Sequence, residues 1–293
     1  MVAKLTDQQS LPSALIVFSP PLPRNLPYFF ILLIGFTLNT SSALIAQSEQ
    51  ERIIPRLSHR PNIDGDLNDW KKEAFSEGEW DMDRIKKSNW YSPKRNRLML
   101  DAGEDPTELD LLAEYYLAWD EEYLYFGAEV KDNVHDVQES NHEAKRWYYK
   151  DAIALFIEFP IDSLPEKFES GDHAFCFVID TTMPDYGAWW RHGSEEGSYQ
   201  ETPLPALSVD YQIKMNPWNR SKADYILEAR IDLKSTVGES SDSWTGLNVS
   251  DYVGLMIVHC DPDGGEYGGH MLIYGQGDND ATWTKMRLAD GND

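Results

Sequence analysis

Two clusters of aromatic side chains stand next to polar residues along the chain. Trp147-Tyr148-Tyr149 comes just before Asp151, and Trp189-Trp190-Arg191-His192 follows a turn signal at Pro184-Asp185. Sugar recognition needs flat apolar faces for the C–H side of a pyranose and polar groups for its hydroxyls, which is the general pattern of a ligand pocket. The open alternative is that these rings close the core or an edge of the fold. The residues predicted here to contact sugar are Trp147, Tyr148, Asp151, Trp189 and Trp190.

A short acidic turn offers a second kind of chemistry. Asp261, Asp263 and Glu266 supply carboxylates, and Gly264-Gly265 between them allows the chain to bend. Hard cations such as calcium take six to eight oxygen ligands, and turns of this composition supply several at once. We therefore predict a structural calcium site at Asp261, Asp263 and Glu266. Secondary candidates are Asp132-Asn133 and Asp64-Gly65-Asp66, and the alternative for all of them is an ordinary turn capped by aspartate.

The overall charge excludes several classes of partner. The chain has 293 residues, with 26 Lys and Arg against 50 Asp and Glu, for a net charge of −24. Nucleic-acid binding and adhesion to anionic lipid both depend on basic surfaces, so neither is expected. At the same time, 41% hydrophobic and 12% aromatic residues are too many for a disordered acidic chain. We expect a folded protein whose partner is a poly- or oligosaccharide, with no nucleic acid and no membrane beyond the N-terminal segment.

The segments that position these residues are predicted to be β-strands. Apolar and polar residues alternate over 209–215 and 225–232, which predicts strands with one buried face. Residues 113–119 and 124–130 flank the turn Asp120-Glu121-Glu122 and predict a hairpin. Nearly continuous apolar runs are typical of central strands; they cover 152–159, 174–179 and 254–258. From about Ile53 the pattern predicts an all-β, antiparallel β-sandwich of two packed sheets.

Three further expectations concern the tryptophans, the cysteines and a long polar stretch. Trp70, Trp119 and Trp283 lie within patterned segments and are predicted to be core residues. The stretch 80–106 is predicted to be a long loop between the first strands. Cys176 and Cys260 each lie in a strand-like run. They form either a disulfide, as an exported chain allows, or two buried free thiols.

The N-terminal region differs from the rest of the chain. An apolar run over 28–38 follows Arg24 and precedes the small residues of 39–43. This order predicts a signal peptide over residues 1–46, with cleavage after Ala43 or Ala46, and a secreted, periplasmic or cell-surface protein. An uncleaved anchor is the alternative, although the run is shorter than the roughly 20 residues that span a membrane. The mature chain, 47–293, is predicted to be a single domain.

A series of short motifs in this region carries a family resemblance. The motifs are Pro61–Trp70 (PNIDGDLNDW), Trp119–Phe126 (WDEEYLYF), Val130–Asn133 (VKDN), Asp151–Ile153 (DAI), Tyr225–Leu233 (YILEARIDL), Gly254-Leu255, Asp261–Gly264 (DPDG), Trp283 and Arg287-Leu288. In that order, over about 53–288, the chain resembles family 9 carbohydrate-binding modules. The resemblance implies a β-sandwich, structural calcium, and a sugar of the xylan or cellulose class held between aromatic rings in carbohydrate catabolism.

The resemblance also assigns roles to particular residues. One stacking ring lies just before the family's Asp-x-x-Glu strand, which implies Tyr148 or Trp147. The other lies on a late loop, where Tyr267 and Tyr274 are available and Tyr274 is assigned to the sugar site. Asp132, in the VKDN motif, is assigned to both the sugar site and the calcium site. The chain departs from the family at Ala154, which stands where the family has its sugar-binding glutamate.

Two other classes of function remain as alternatives to non-catalytic binding. A glycoside hydrolase-associated or weakly hydrolytic protein, acting on O-glycosyl bonds, needs two carboxyl groups across a cleft, and no pair stands out among 50 acidic residues. A haem-binding redox sandwich has Met256, Met271 and His270 as candidate ligands, without a Cys-x-x-Cys-His attachment motif. A Gly-x-Ser-x-Gly or His-Glu-x-x-His motif is also absent from the sequence. We predict no catalytic residues.

Overall fold

A computed structural model describes eleven stretches of the chain. They are residues 51–85, 89–91, 111–132, 146–161, 171–179, 188–193, 199–204, 208–215, 224–236, 246–261 and 270–291. The signal segment predicted over 1–46 and the predicted domain start at 47 lie outside these residues. Among the described residues, no helix has the length and apolar character needed to cross a membrane.

Strands make up most of the described chain. They are β1 (Arg52–Pro55), β2 (Asn89–Tyr91), β3 (Leu111–Trp119), β4 (Tyr123–Asp132), β5 (Ala152–Glu158), β6 (Asp172–Val178), β7 (Ala188–Gly193), β8 (Tyr199–Pro203), β9 (Val209–Met215), β10 (Tyr225–Asp232), β11 (Tyr252–Cys260), β12 (His270–Ile273) and β13 (Thr284–Ala289). Among the described residues, the helical segments are α1 (Met82–Ile85), α2 (Leu233–Thr236) and single 3-10 turns at Leu67–Asp69, Trp147–Tyr149 and Asp280–Thr282.

The strands form two sheets. The larger sheet has the order β1-β13-β11-β5-β6-β7-β8, with β12 paired to β11 and β2 paired to β12. The smaller sheet has the order β3-β4-β10-β9. The strand pairs within these sheets are antiparallel except for β1 and β13, which run parallel. The predicted all-β, antiparallel sandwich of two packed sheets is confirmed.

Central strands of the larger sheet are buried on both faces. On β5, Ile153, Leu155 and Ile157 enter the main core, whereas Ala154 and Phe156 belong to a second buried cluster on the other face. The sequence of β5 is therefore continuously apolar from Ala152 to Ile157. The edge strand β9 instead alternates between buried and accessible residues. Its alternating pattern follows from having only one covered face.

The predicted hairpin is formed by β3 and β4. Asp120 closes its turn, since one carboxylate oxygen accepts hydrogen bonds from the backbone N–H groups of Glu122 and Tyr123, both at 2.8 Å. Trp70, Trp119 and Trp283 are 0%, 1% and 3% exposed. Their prediction as core residues is confirmed.

The predicted loop over 80–106 is wrong in its described part. Trp80 forms a bridge with Ala113, and α1 and β2 follow it. Asp81 starts the helix by accepting a hydrogen bond from the Arg84 N–H at 2.8 Å. Short elements of this kind leave little periodicity in the sequence, which explains the error. Residues 86–88 and 92–106 lie outside the described part.

Cys176 and Cys260 are two buried free thiols. Cys176 lies on β6 and Cys260 on β11, and β5 runs between these strands. Two strand spacings place their Cα atoms at least about 9 Å apart, beyond the roughly 7 Å that a disulfide can bridge. Of the two alternatives, the structure supports the free thiols.

Candidate functional site

A pocket of about 830 Å³ opens on the outer face of the larger sheet. Its walls come from the turn before β5, from β7 and β8, and from the turn after β12. A volume of this size is typical of small-molecule sites. The lining residues are Trp147, Tyr148, Tyr149, Phe156, Arg191, Tyr199, Met256, Val258, His270, Leu272, Gln276, Gly277 and Asp278.

The base of the pocket is built from three neighbouring strands. Phe156 of β5 is the cross-strand partner of Met256 on β11, and Val258 on β11 is the partner of Leu272 on β12. All four side chains are less than 10% exposed. The alternation of strand side chains brings them to one face, where they form an apolar surface.

Three tyrosine rings surround the opening. Tyr148 and Tyr149 come from the 3-10 turn and are half-buried, with ring centres 5.1 Å apart. Tyr199, at the start of β8, is 46% exposed. Trp147 in the same turn is 4% exposed and packs edge-on against Tyr148 at 5.5 Å. The tyrosines, rather than Trp147, therefore present accessible ring faces.

Arg191 carries a positive charge into the pocket wall. Its Nε and Nη2 donate to one carboxylate oxygen of Glu201 at 3.0 and 2.7 Å, and its Nη1 donates to Asp278 at 3.3 Å. The guanidinium also lies 4.1 Å from the ring centre of Tyr199. Burial would lower the pKa of Arg191, but nearby acidic groups, including Asp278 and Glu201, hold it above its ordinary value.

His270 fixes the turn that carries the rings. Its Nε2 lies 2.8 Å from the backbone oxygen of Tyr148, so the proton on Nε2 is donated to that carbonyl. Burial lowers the pKa of His270. A neutral ring with its proton on Nε2 therefore ties β12 to the 3-10 turn.

Two of the predicted sugar-contacting residues, Trp147 and Tyr148, line this pocket. Trp189 and Trp190 are neighbours on β7, so their side chains point to opposite faces of the sheet. Trp189 packs against the second buried cluster, on the outer face of the larger sheet (the outer cluster), but does not line the pocket. Trp190 packs against the main core. Tyr274 has a left-handed φ of 69° and packs against the main core, edge-on to Trp80 at 6.4 Å.

The structure brings three aspartates together at one point. Carboxylate oxygens of Asp132, Asp151 and Asp261 all lie within 4.8 Å of one another, and Asp151 and Asp261 are 1% and 6% exposed. Asp132 ends β4 in the smaller sheet, whereas the other two flank β5 and β11 in the larger one. The cluster contains two of the residues predicted to contact sugar, Asp132 and Asp151, and neither of them lines the pocket. Asp263 and Glu266, the other predicted metal ligands, lie outside the described residues.

The acidic cluster has the chemistry of a site for a hard cation. At 4.8 Å, two like charges repel by about 3 kcal/mol at an effective dielectric constant of 20. A set of three carboxylates, two of them buried, offers only oxygen ligands and fits calcium better than a soft transition metal. Next to the cluster, Tyr225 is fully buried, and its pKa is raised by burial and by the three carboxylates. Asp132, Asp151 and Asp261 are thus suited to hold such an ion.

Residues from distant parts of the chain complete the pocket. Tyr199, Gln276 and Asp278 were not among the predicted sites, because each is an isolated polar or aromatic residue in a turn or edge strand. Of the three candidate haem ligands, Met256 and His270 both line the pocket, whereas Met271 does not. His270 and Met271 are neighbours on β12; His270 lines the pocket, and Met271 belongs to the main core.

Known proteins with a similar sequence pattern or fold are carbohydrate-binding modules. The family model described as carbohydrate family 9 binding domain-like matches residues 88–287. Two structures of a family 9 carbohydrate-binding module from Caldicellulosiruptor kristjanssonii are similar to this chain. The one in complex with cellotriose has 16% identity and a TM-score of 0.50, covering 82% of this chain and 94% of that one. The one in complex with glucose has the same identity and TM-score, covering 81% and 95%.

No curated protein sequence matches the chain. At 16% identity, the two structural neighbours show a common fold. The family model spans about two thirds of the chain and includes the strands that build both the pocket and the acidic cluster. The chain therefore belongs to the carbohydrate family 9 binding domain-like family.

Proposed function

We propose that the protein binds a neutral poly- or oligosaccharide in this pocket without cleaving it. The observation that carries the proposal is the arrangement of three tyrosine rings around a buried arginine in one pocket. Rings of this kind accept the C–H face of a pyranose. The similar module of C. kristjanssonii was solved with cellotriose and with glucose, which favours a ligand of the cellulose class. Xylan enters the proposal through the family resemblance of the sequence.

Polar groups of the pocket are suited to sugar hydroxyls. Arg191 has five N–H donors, of which the contacts to Glu201 and Asp278 use three. The other two have no partner among the described residues and can donate to hydroxyl oxygens. Gln276 is exposed at the rim and offers both a donor and an acceptor. Because Glu201 and Asp278 already balance the charge of Arg191, a neutral sugar is preferred over an acidic one.

The carboxylates of the pocket argue against hydrolysis. Glycosidases use two carboxyl groups, about 5–10 Å apart, on either side of the bond that is cleaved. Among the described lining residues, Asp278 is the one carboxylate, and it is paired with Arg191. This arrangement favours binding over catalysis.

A structural calcium ion is the second part of the proposal. Asp132, Asp151 and Asp261 would hold it, together with Asp263 and Glu266 predicted from the sequence. A divalent ion in this position would offset the repulsion among the carboxylates. It would also join the end of β4 to the ends of β5 and β11, across the two sheets.

The cellular setting is likewise part of the proposal. The signal segment predicted over 1–46 would deliver the domain to the periplasm, the cell surface or the medium. There it would bind plant-type polysaccharide or its fragments in carbohydrate catabolism. N-terminal sequencing of exported protein tests this point, and a chain that still begins near Met1 would contradict it.

Calorimetric titration with cellobiose and xylobiose, with and without calcium, tests the binding function. We expect one of these sugars to bind and Tyr148→Ala to abolish the signal. Tyr252→Ala is the matched control, because Tyr252 is 44% exposed and lies outside the pocket lining. Absence of binding under all conditions, or unchanged affinity in Tyr148→Ala, would contradict the proposal.

A further inference from the structure

The base and the rim of the pocket differ in polarity. Phe156, Met256, Val258 and Leu272 form the base, and none of them carries a strong hydrogen-bonding group. Polar lining groups come from the surrounding walls; they are Tyr148, Tyr149, Arg191, Tyr199, His270, Gln276 and Asp278. Any part of a ligand that reaches the base therefore leaves water without gaining a polar partner there.

The backbone of the base is also occupied. Strand β11 pairs with β5 on one side and with β12 and β13 on the other. Its N–H and C=O groups lie in the plane of the sheet, towards these neighbouring strands, and do not point at a ligand. Ala154, the cross-strand partner of Val258, continues the apolar surface beside the base.

An unsubstituted pyranose matches this base poorly along its edges. Its ring edge carries hydroxyl groups, and burial of a hydroxyl without a hydrogen bond costs about 1–3 kcal/mol. An apolar substituent on the sugar would lose nothing at the base and would gain the free energy of apolar burial. A cavity of about 830 Å³ has room for a sugar together with such a group.

We propose that the pocket selects a sugar that carries an apolar substituent, with the substituent on the base and the hydroxyls at the rim. Methyl, acyl and aryl groups belong to this class. Val258 is then a specificity-determining residue, since it lies in the base between Ala154 and Leu272. This inference rests on the proposed sugar site and goes beyond it by naming the class of ligand.

Two matched ligand pairs test the inference by calorimetric titration. The first is 6-deoxy-D-glucose against D-glucose, and the second is phenyl against methyl β-D-glucoside. We expect the apolar member of at least one pair to bind about ten-fold more tightly. If the sugars bind but neither pair shows a preference, the inference is wrong and the sugar-binding function stands. If no sugar binds at all, including cellobiose and xylobiose, the proposed function itself fails, and the inference with it.

A substitution at the base separates binding there from binding at the tyrosine rings. Val258→Thr keeps the side-chain shape and introduces a hydroxyl, so we expect most of the preference to disappear. The affinity for the unsubstituted sugar should change less. Val249→Thr is the matched control, because Val249 is 41% exposed and lies outside the pocket lining. If Val258→Thr does not fold, Leu272→Ser is the second variant that introduces a hydroxyl into the base. A preference that persists in the folded base variant would overturn the inference.

Discussion

Arg191 shows how a buried charge is tolerated in the pocket wall. It is 6% exposed, and burial of an unpaired guanidinium would be strongly unfavourable. Glu201 on the neighbouring strand and Asp278 on a distant turn both accept from it. The planar guanidinium makes both contacts and still has N–H donors without a partner among the described residues. The same geometry that stabilises the charge therefore prepares it for a ligand.

Arg191→Lys tests this use of the guanidinium. A lysine ammonium is a point donor and cannot maintain both carboxylate contacts while donating twice to a sugar. We expect at least about a ten-fold loss of cellobiose affinity, the equivalent of one or more lost hydrogen bonds to a charged group. Calorimetric titration with cellobiose measures this loss of affinity. Arg230→Lys is the control, because Arg230 pairs with Asp210 at 3.0 Å outside the pocket. Full affinity in Arg191→Lys would contradict the role given to this residue.

Trp147 and Tyr148 are adjacent, but we expect their substitution by alanine to change the stability of the protein by different amounts. Trp147 is almost fully buried in the outer cluster, whereas Tyr148 is half-buried at the pocket. Trp147→Ala is expected to lower the free energy of unfolding by about 3–5 kcal/mol through the cavity it leaves. Tyr148→Ala should cost much less stability and should remove a ring face. Urea denaturation distinguishes the two, and equal stability losses would refute this division of roles.

Sequence reasoning found the part of the site that is contiguous in the chain. Trp147 and Tyr148 were predicted because rings and a carboxylate follow one another there. Asp132, Asp151 and Asp261 were all named, but only Asp132 and Asp261 were assigned to the metal. Tyr199 and Gln276 were missed, since nothing local distinguishes them and only the fold brings them to the pocket.

At the scale of elements, the β6–β7 pair contains a buried neutral histidine. His173 on β6 accepts a hydrogen bond at Nδ1 from the indole N–H of Trp190 on β7, at 3.0 Å. Its ring stacks on Trp190 at 5.7 Å and on Phe175 at 6.2 Å. Burial, reinforced by His192, lowers the pKa of His173 to about 3. Protonation would break the hydrogen bond and place a charge in the core.

This histidine predicts a pH dependence of stability. Its pKa is about 3 in the folded protein and 6.5 when unfolded, so between these values the unfolded state binds more protons. The free energy of unfolding must therefore fall as the pH drops from about 6.5 towards 3. His173→Asn keeps an acceptor for Trp190 and removes the titration. The stability gap between wild type and variant should narrow on acidification, measured by urea denaturation at pH 7 and pH 4.5.

A variant that keeps every titratable group provides the control for this experiment. Val249 is 41% exposed, and Val249→Thr should leave the pH dependence of the wild type unchanged. A constant gap between wild type and His173→Asn across the acidic range would contradict the assignment to His173.

The elements themselves were predictable to the extent that burial leaves a pattern. Continuous apolar runs identified β5, β6 and β11, because these strands are covered on both faces. Alternation identified β9 and β10, and turn residues identified the β3–β4 hairpin. The short strand β2 and helix α1 were missed. The order of strands in the larger sheet also could not be obtained, because register and pairing depend on contacts between distant segments.

At the scale of the whole molecule, the acidic cluster lies where the two sheets meet. The chain carries a net charge of −24, so its carboxylates already repel one another on average. Asp132 of the smaller sheet and Asp151 and Asp261 of the larger sheet add a local repulsion at close range. A cation bound among the three carboxylates would offset this repulsion at the ends of β4, β5 and β11. The proposed calcium ion would therefore stabilise the entire sandwich.

Removal of calcium should lower the melting temperature of the protein. A cation that binds only the folded state at 100 times its Kd stabilises that state by about 2.7 kcal/mol, or roughly 5–10 °C for a domain of this size. We expect excess chelator to produce a decrease of this order, measured by scanning calorimetry. Asp151→Asn should abolish the response to calcium and, because it removes one of the repelling charges, should not lower the melting temperature in chelator. Asp210→Asn, whose side chain is 56% exposed beside Arg230, should respond like the wild type. A melting curve that chelator leaves unchanged would contradict the proposed calcium site.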